Sequence, residues 1–388
     1  MVRSSKIKRK IAVIASSRAT YGYKKRIIKQ IHRSKDLELL LFVTGSHPLS
    51  KYGHSIDEII NDKIPITAQI DMLIDGDTPA TFAKSLGVEM LGLAQAFQNC
   101  KPDILLVTGD RGEMFIACAT AAYMNIPVAH IQSGDVSGHI DGAARHAMTK
   151  LSHVHFPSCK DSANRVINMG EEPWRVFNVG APQLDIILEE KRITKNVLSK
   201  KLKVDLANRT VLCIFHSTLV ENDKSKKQME NILKALSEKN LQTIVIFPNM
   251  DAGNAPIIKV IEKYKKYKNF TAFSNLDRSV YISLMSSVSL LIGNSSSGIL
   301  EAPSFKLPVI NIGNRQRGRM QASNIINCNF EIKKIKSSID KVFNDKKFKQ
   351  KLMQCRNPYG DGKSSKRIVN ILRSIVIDNK LLDKKITY

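Results

Sequence analysis

The chain alternates short apolar runs suited to buried strands with segments of helical periodicity. In the first half, the apolar runs are Ile11–Ala15, Leu37–Val43, Ile104–Val107 and Ile126–Ile131, and a helical pattern such as Thr81–Asn99 lies between them. Strands that alternate with helices predict a parallel sheet with helices on both faces. The first half is therefore predicted to be a doubly wound α/β domain.

The second half of the chain repeats this alternation. Its predicted elements are the strands Thr210–Phe215, Thr243–Phe247, Val288–Ile292 and Pro308–Ile312, and helices over Lys224–Ser237, over Pro256–Tyr267 and from Ser297 onward. Two Rossmann-like domains are thus expected, with the boundary in the charged stretch between Leu188 and Asn208. We assign residues 1–188 to the first domain, 189–375 to the second, and 376–388 to a lysine-rich tail that is helical at its start.

Length and composition agree with a two-domain globular protein. The 388 residues exceed what one core normally accommodates, and 43% of them are hydrophobic. No apolar run reaches the length of a membrane span, and the N-terminus lacks the apolar segment of a signal peptide. The six cysteines are scattered without a Cys-x-x-Cys pair, so neither a disulfide framework nor a structural zinc site is predicted. We expect a soluble, cytoplasmic protein with reduced thiols and no bound metal.

The formal net charge of +25 raises the question of a nucleic-acid partner. Lysines are spread along the whole chain, however, and they are not interleaved with aromatic residues. A solvated, lysine-rich surface is the favoured interpretation, without a specific nucleic-acid or membrane partner. A polyanion-binding protein remains the non-enzymatic alternative.

The stretch from Leu290 to Glu301 predicts an anion site. Three apolar residues run into the turn Gly293-Asn-Ser-Ser-Ser-Gly298, which opens a helical pattern. The first N–H groups of a helix have no intrahelical partner and the helix dipole favours negative charge there, so Ser295, Ser296 and Ser297 can hold phosphate oxygens with backbone and hydroxyl donors. Glu301 can accept the hydroxyls of a ribose. The alternative is an ordinary serine N-cap.

Other predicted strands also end in polar residues, and ligands of open α/β sheets bind beyond these ends. Arg18 follows the first strand and can clamp a phosphate. Asp110, Asp135 and Asp141 follow two later strands, and we expect them to converge on one rim. Crowded carboxylates raise one another's pKa, so one can serve as an acid while another serves as a base. A lone surface arginine or helix-capping aspartates are the structural alternatives.

Three strand ends in the second half carry further candidates. His216 can neutralise or protonate a leaving diphosphate, although it can equally be a hydrogen-bonded structural histidine. Asn249 can orient ligand hydroxyls or cap the next helix. Arg315 is the first of three arginines on a glycine-containing loop. Like charges repel one another, so such a cluster is expected only where an anion binds nearby. We predict that Arg315 contacts a nucleotide.

Taken together, these motifs resemble the hydrolysing UDP-N-acetylglucosamine 2-epimerases of sialic-acid pathways. The resemblance runs from about residue 10 to about residue 375 and rests on motifs in the same order. They are Gly109-Asp-Arg-Gly-Glu113, His130-Ile-Gln-Ser-Gly-Asp135, Val136-Ser-Gly-His-Ile-Asp141, Arg145-His146, Phe247-Pro-Asn-Met-Asp-Ala-Gly253, Gly293-Asn-Ser-Ser-Ser-Gly298, Glu301, Asn311-Ile-Gly-Asn-Arg-Gln316 and Asn357-Pro-Tyr-Gly-Asp-Gly362.

The resemblance implies a GT-B architecture, with two Rossmann-like domains facing a cleft, in a homo-oligomer such as a dimer or tetramer. It implies cleavage of UDP-N-acetylglucosamine to UDP and N-acetylmannosamine through a glycal intermediate. Carried onto the matching positions, the catalytic candidates are Asp110, Asp135, Asp141 and His216, and the substrate-binding candidates are Arg18, Asn249, Ser295, Ser296, Glu301 and Arg315. No cofactor is expected, since the elimination needs no NAD and a Gly-x-Gly-x-x-Gly fingerprint is absent after the first strand.

Three departures from the family pattern bear on the substrate. Ser133-Gly134-Asp135 stands where relatives usually have Gly-Gly-Glu, Asp141 is followed by glycine, and His216 is followed by Ser-Thr. Sister enzymes act on UDP- or GDP-linked 2,4-diacetamido-trideoxy sugars for legionaminic acid, and this reaction stays open as the alternative. A GT-B glycosyltransferase is the second enzymatic alternative, because one fold serves both reactions.

Overall fold

The computed structural model describes residues 8–47, 56–76, 78–136, 139–218, 223–248 and 254–388, apart from the side chains of residues 18, 19 and 139. Within these ranges no helix is both long and apolar enough to cross a membrane. None of the six cysteines takes part in a disulfide.

The described residues form twelve strands. In the first half these are β1 (Arg9–Ala15), β2 (Leu37–Val43), β3 (Ala68–Gln69), β4 (Ile104–Thr108), β5 (Val128–Ile131) and β6 (Val154–Phe156). In the second half they are β7 (Thr210–Ile214), β8 (Gln242–Ile246), β9 (Phe270–Phe273), β10 (Leu290–Gly293), β11 (Val309–Ile312) and β12 (Ile325–Cys328). All eight predicted strands are confirmed, with ends that differ by at most two residues.

Helices connect these strands. The first seven are α1 (Arg18–His32), α2 (Ile56–Asn61), α3 (Pro79–Cys100), α4 (Gly112–Tyr123), α5 (His139–Leu151), α6 (Lys160–Asn168) and α7 (Gln183–Glu189). The next seven are α8 (Lys195–Leu202), α9 (Ser225–Glu238), α10 (Asn254–Tyr264), α11 (Arg278–Met285), α12 (Ser296–Leu300), α13 (Ile332–Asn344) and α14 (Lys346–Met353). The chain ends with α15 (Ser364–Ser374) and α16 (Asn379–Leu382).

The two sheets share one topology. Each has six parallel strands, in the order β3-β2-β1-β4-β5-β6 and β9-β8-β7-β10-β11-β12. In each sheet, successive strands are first added on one side of the first strand, as β2 and β3 or as β8 and β9. The next strand then lies on the other side of the first strand, with β4 beside β1 and β10 beside β7. Ligands of doubly wound sheets bind at such switch points. The predicted α/β class of two doubly wound parallel sheets is confirmed.

Alternation along the strands distributes side chains to the two faces of each sheet. On β1, Ile11 and Val13 pack with α1 and α15, whereas Ala12 and Ile14 pack with α3 and α4. Both faces are therefore covered, which explains why the strands read as continuous apolar runs rather than as alternating ones.

The chain divides into two compact units: unit 1 is Met1–Ile186 with Tyr359–Tyr388, and unit 2 is Ile187–Pro358. The first boundary lies close to the predicted one, but residues 359–375, which we expected in the second domain, return to unit 1. They do so because Ile368 and Leu372 of α15 are buried in the core with α1. The Asp185 carboxylate also accepts hydrogen bonds from the first N–H groups of α15, at 3.0 and 2.6 Å.

Candidate active site

In unit 1, a buried histidine forms a hydrogen bond with the turn that follows β4. Gly109 has φ +81°, a conformation that favours glycine, and its carbonyl accepts a hydrogen bond from His130 Nε2 at 2.8 Å. Burial lowers the pKa of His130 to about 3, so its ring is neutral, and the carbonyl partner requires the proton on Nε2. This contact fixes the backbone immediately before Asp110.

Arg145 orients the Asp110 side chain. It lies on α5, is 6% exposed, and donates from Nη1 to the Gln132 carbonyl at 2.6 Å and from Nη2 to Asp110 Oδ2. A buried guanidinium held at a second point offers its partner little freedom. Asp141 lies four residues before Arg145, and therefore on the same face of α5.

Asp110 and Asp141 line one cavity of about 600 Å³. Arg111 and Glu113 are also part of its wall, and Arg111 donates from Nε and Nη2 to the two Glu113 carboxylate oxygens, both at 3.2 Å. The remaining lining is apolar: Pro79, Phe82, Ala83, Leu86, Gly112, Phe115, Ile140, Ala143, Ala144 and Ala147. The cavity thus places three carboxylates and a cation against a hydrophobic wall.

Asp135 does not line this cavity. Its Oδ2 accepts a hydrogen bond from the Ser158 hydroxyl at 2.9 Å, and its Oδ1 is buried without a partner. The turn before it causes this, because Gln132 and Gly134 have φ +65° and +71° and Gly134 packs against the backbone of α6. Two of the three aspartates predicted to share a rim are therefore brought together.

In unit 2, the turn after β10 places Ser295 at the start of α12, where its side chain caps the helix by accepting from the Ser297 N–H. Gly293 has φ +135°, and a Cβ there would lie 1.9 Å from the Ile214 carbonyl oxygen. Ser295 is the N-cap of α12, and its hydroxyl lies 2.9 Å from that of Ser297, which is in turn 2.7 Å from the Tyr281 hydroxyl. A helix of five residues is short, so its length does not distinguish this turn. What distinguishes the turn is the cluster of three hydroxyls, from Ser295, Ser297 and Tyr281.

Glu301 follows α12 directly. It is half-buried, and the poor solvation of its carboxyl raises the pKa to about 7, while Arg278 acts in the opposite direction. The carboxyl is therefore poised to titrate near neutral pH. A ligand that donates hydrogen bonds to such a carboxyl favours its ionised form and therefore changes its protonation state near neutral pH.

Asn294 joins three strand ends of unit 2. Its side chain accepts from the His216 N–H and donates to the His216 carbonyl, both at 2.8 Å. Its own carbonyl accepts from Arg315 Nη1 at 3.2 Å and from Gln316 Nε2 at 2.9 Å. His216 and Arg315, two predicted site residues, are thereby held at the same end of the sheet as the Ser295 turn.

Other predicted positions stand apart. Arg18 is the first residue of α1, but its side chain lies outside the described residues, as does the whole of Asn249. A further cavity of about 660 Å³ in unit 2 lies beyond the carboxyl ends of β11 and β12. Four of its twelve lining residues are asparagines, and Arg317 and Lys334 are its cations, but it includes none of the predicted nucleotide contacts.

Arg145 and Asn294, to which the sequence assigned no role, hold the candidate residues Asp110 and His216 in place. For Arg145 a signal existed, since an arginine four residues after Asp141 shares its helix face. For Asn294 the signal was weak, because an asparagine in a Gly/Ser turn usually serves the turn itself. Its partner His216 lies 78 residues away.

Comparison with known proteins places this geometry in context. Residues 29–373 match the family model described as UDP-N-acetylglucosamine 2-epimerase. A Legionella pneumophila protein named UDP-N,N'-diacetylbacillosamine 2-epimerase (hydrolyzing) is 36% identical, over 97% of this chain and 98% of its own. A Campylobacter jejuni protein named GDP/UDP-N,N'-diacetylbacillosamine 2-epimerase (hydrolyzing) is 34% identical, over 88% of this chain and 89% of its own.

Among solved structures, the Neisseria meningitidis UDP-GlcNAc 2-epimerase bound to UDP-GlcNAc is similar, with a TM-score of 0.78 and 20% identity. The match covers 94% of this chain and 99% of that one. At this identity the likeness concerns the fold, and it confirms the predicted GT-B-like class.

Proposed function

The chain belongs to the UDP-N-acetylglucosamine 2-epimerase family, and on that premise we propose that it hydrolyses UDP-N,N'-diacetylbacillosamine with inversion at C2. This sugar carries acetamido groups at C2 and C4, and its C6 is a methyl group. The products are UDP and the free 2-epimer. This reaction is the alternative that the sequence left open beside the hydrolysis of UDP-N-acetylglucosamine.

The composition of the unit 1 cavity carries this proposal. Beside Asp110 and Asp141 its wall is formed by residues such as Phe82, Leu86 and Ile140. An apolar wall suits the C6 methyl and the acetamido methyl groups. UDP-N-acetylglucosamine would instead place a C6 hydroxyl against this wall, which offers that hydroxyl no hydrogen-bond partner.

In the proposed reaction, one carboxylate of the pair removes the C2 proton as the C1–O bond breaks and its electrons pass to the diphosphate. Water then adds to C1 of the glycal, and a proton returns to C2 on the opposite face. Asp110, oriented by Arg145, and Asp141 are the groups that we assign to these proton transfers. Both relatives with the highest identities reported above carry "hydrolyzing" in their names.

Unit 2 is assigned to the leaving group. Ser295 and Ser296 supply N–H and hydroxyl donors for phosphate oxygens, Arg315 supplies positive charge, and Glu301 accepts the ribose hydroxyls. His216 is proposed to stabilise the departing diphosphate. Arg18, Asn249 and Asp135 remain proposed contributors on the basis of their motif positions alone.

Proton NMR in D₂O tests the reaction and the substrate together. The enzyme is incubated separately with the UDP-linked diacetamido sugar, its GDP-linked form and UDP-N-acetylglucosamine, with no acceptor present. We expect free sugar with deuterium at C2, and a kcat/KM at least about tenfold higher for the UDP-linked diacetamido sugar, the scale of discrimination that an apolar pocket provides. Preference for UDP-N-acetylglucosamine would support hydrolysis of that sugar nucleotide instead, and strict dependence on an acceptor would indicate a glycosyltransferase.

UDP binding is expected to depend on pH through Glu301. Its folded pKa of about 7 means that the ionised, ribose-accepting form is lost as the pH falls from 8 to 6. Calorimetry should show wild-type affinity for UDP falling over this range more steeply than that of Glu301→Gln, which carries no titrating group. Since UDP itself titrates near this range, the difference between the two proteins is the informative quantity, and parallel curves would remove Glu301 from the site.

A further inference from the structure

A buried carboxyl group lies behind the unit 1 cavity. Glu89 is 0% exposed and occupies the core-facing stripe of α3, four residues before Leu93 and eight before Phe97. Neither of its carboxyl oxygens has a hydrogen-bond partner among the described residues. A glutamate at an apolar helix position is unusual, because an isolated charge is unstable in a core.

The surroundings of Glu89 contain two more polar groups in the same condition. The hydroxyls of Ser16 and Thr44, at the carboxyl ends of β1 and β2, are buried without a partner. Both continue the strand register that faces α3, the side to which Ile14 and Phe42 also belong. Buried polar atoms almost always find partners, and the Thr44 hydroxyl already acts on the Glu89 carboxyl. Small side-chain adjustments would therefore join these atoms into one network.

Glu113 connects this group to the cavity. It is 4% exposed, lines the cavity, and its Oε1 lies 3.3 Å from the position of a Cβ on Gly45, which itself touches Ser16. Its two oxygens accept the paired hydrogen bonds of Arg111. The carboxylate of Glu113 is thus placed between the buried hydroxyls and the cation of the cavity.

We propose that Glu89 is a positioning residue: its carboxylic acid, with the hydroxyls of Ser16 and Thr44, forms a hydrogen-bond network that ends on Glu113 and holds it against Arg111. Arg111 in turn stands beside Asp110 and Asp141 in the cavity wall. The inference rests on the proposed function for its effect on turnover, but not for the network itself.

Electrostatics agree with a protonated Glu89. Burial first, and the negative charge of Glu113 second, raise its pKa to about 9, while the nearby Thr44 hydroxyl acts in the opposite direction. The charge that faces Glu89 comes from α4, the helix packed beside α3. The ends of β1 and β2 present hydroxyls there, and His47 instead has its ring against Tyr21 of α1.

Two substitutions separate this role from simple core packing. Glu89→Gln keeps a donor and an acceptor in the same shape, so kcat at pH 7 should stay within about twofold of wild type. Glu89→Leu keeps the volume but removes the network, and a displaced Arg111 should lower kcat by about 10- to 100-fold with little change in KM. Gln98→Leu, at an exposed position of the same helix, is the matched control and should be silent.

The pH dependence gives a readout that packing would not change. Wild-type kcat should fall as the pH rises through about 9, when Glu89 ionises opposite Glu113, and Glu89→Gln should lack this fall. Equal loss of activity in Glu89→Gln and Glu89→Leu, or full activity in Glu89→Leu with an unchanged profile, would overturn the proposal.

Measurements without substrate keep the network testable if the proposed reaction fails or Glu89→Leu does not fold. The infrared difference between wild type and Glu89→Gln at pH 7 should contain the carbonyl stretch of a protonated carboxylic acid. Between the ordinary value of 4.5 and about 9 the folded state holds the extra proton, so wild-type stability should fall with rising pH more steeply than that of Glu89→Gln. Absence of both signals would contradict the inference even for a fully active enzyme.

Discussion

Replacing Asp110 by asparagine is expected to lower kcat by about 10²- to 10⁴-fold, the range that general acid–base groups contribute, while UDP affinity stays within about twofold. Asparagine keeps the shape of the side chain and can still accept the hydrogen bond from Arg145, so the geometry should survive. What it cannot do is exchange a proton with substrate. Single-turnover kinetics with the diacetamido substrate and calorimetry with UDP separate the two effects.

Asp141→Asn should behave in the same way, because Asp141 lines the same cavity and has no other assigned role. Asp161→Asn, at an exposed position on α6 of the same unit, is the matched control and should keep wild-type kcat. Wild-type turnover in either Asp110→Asn or Asp141→Asn would remove that residue from the chemistry. A large loss of UDP affinity with unchanged kcat would instead assign it to binding.

Gly293→Ala is expected to destabilise unit 2 by on the order of 4 kcal/mol or more and to abolish UDP binding. A Cβ at this position would lie 1.9 Å from the Ile214 carbonyl oxygen, and φ +135° is a backbone conformation that L-residues rarely adopt. The clash is with backbone of β7, so no side-chain rotation relieves it. Relief requires β10 to move from β7, which also displaces Ser295 and the Asn294 contacts to His216.

Urea unfolding followed by circular dichroism, together with UDP calorimetry, measures both consequences. Gly87→Ala is the control, because Gly87 lies inside α3 with open space around it. Alanine there should be neutral or stabilising by up to about 1 kcal/mol, since alanine favours helix more than glycine does. Normal stability and normal UDP affinity in Gly293→Ala would show that the turn tolerates a side chain and that our account of it is wrong.

The sequence was sufficient for the fold class and for the location of the strand ends. Apolar runs such as Leu37–Val43 are short, bounded by turn residues and separated by helical periods, and each of these properties is local. The four strands that were not predicted, β3, β6, β9 and β12, are the edge strands of the two sheets. β3 and β6 are two and three residues long, too short to produce a pattern of their own, and β9 and β12 are mostly half-exposed, so they lack a continuous buried apolar run. They form because a neighbouring strand already presents free backbone groups.

The same distinction between local sequence patterns and long-range contacts applies to the candidate site. That Asp110, His216 and Ser295 follow strands could be read from order alone, and their motifs identified the family. That Asp135 turns to Ser158 could not, because its direction depends on the positive φ angles at Gln132 and Gly134. The C-terminal segment is similar. The periodicity of α15 predicts an amphipathic helix, but it does not predict which of the two cores the apolar face packs against.

The sequence by itself determined the two sheets, the chemistry available at their carboxyl ends and the family, because periodicity, turn residues and motif order are properties of neighbouring residues. Only the tertiary structure decided which groups meet: Arg145 on Asp110 across 35 residues, Asn294 on His216 across 78, and Glu89 behind Glu113. Such contacts depend on the packing of separate elements. The energy of a buried polar group is set by the partners that this packing supplies, so its role appears only in the folded protein.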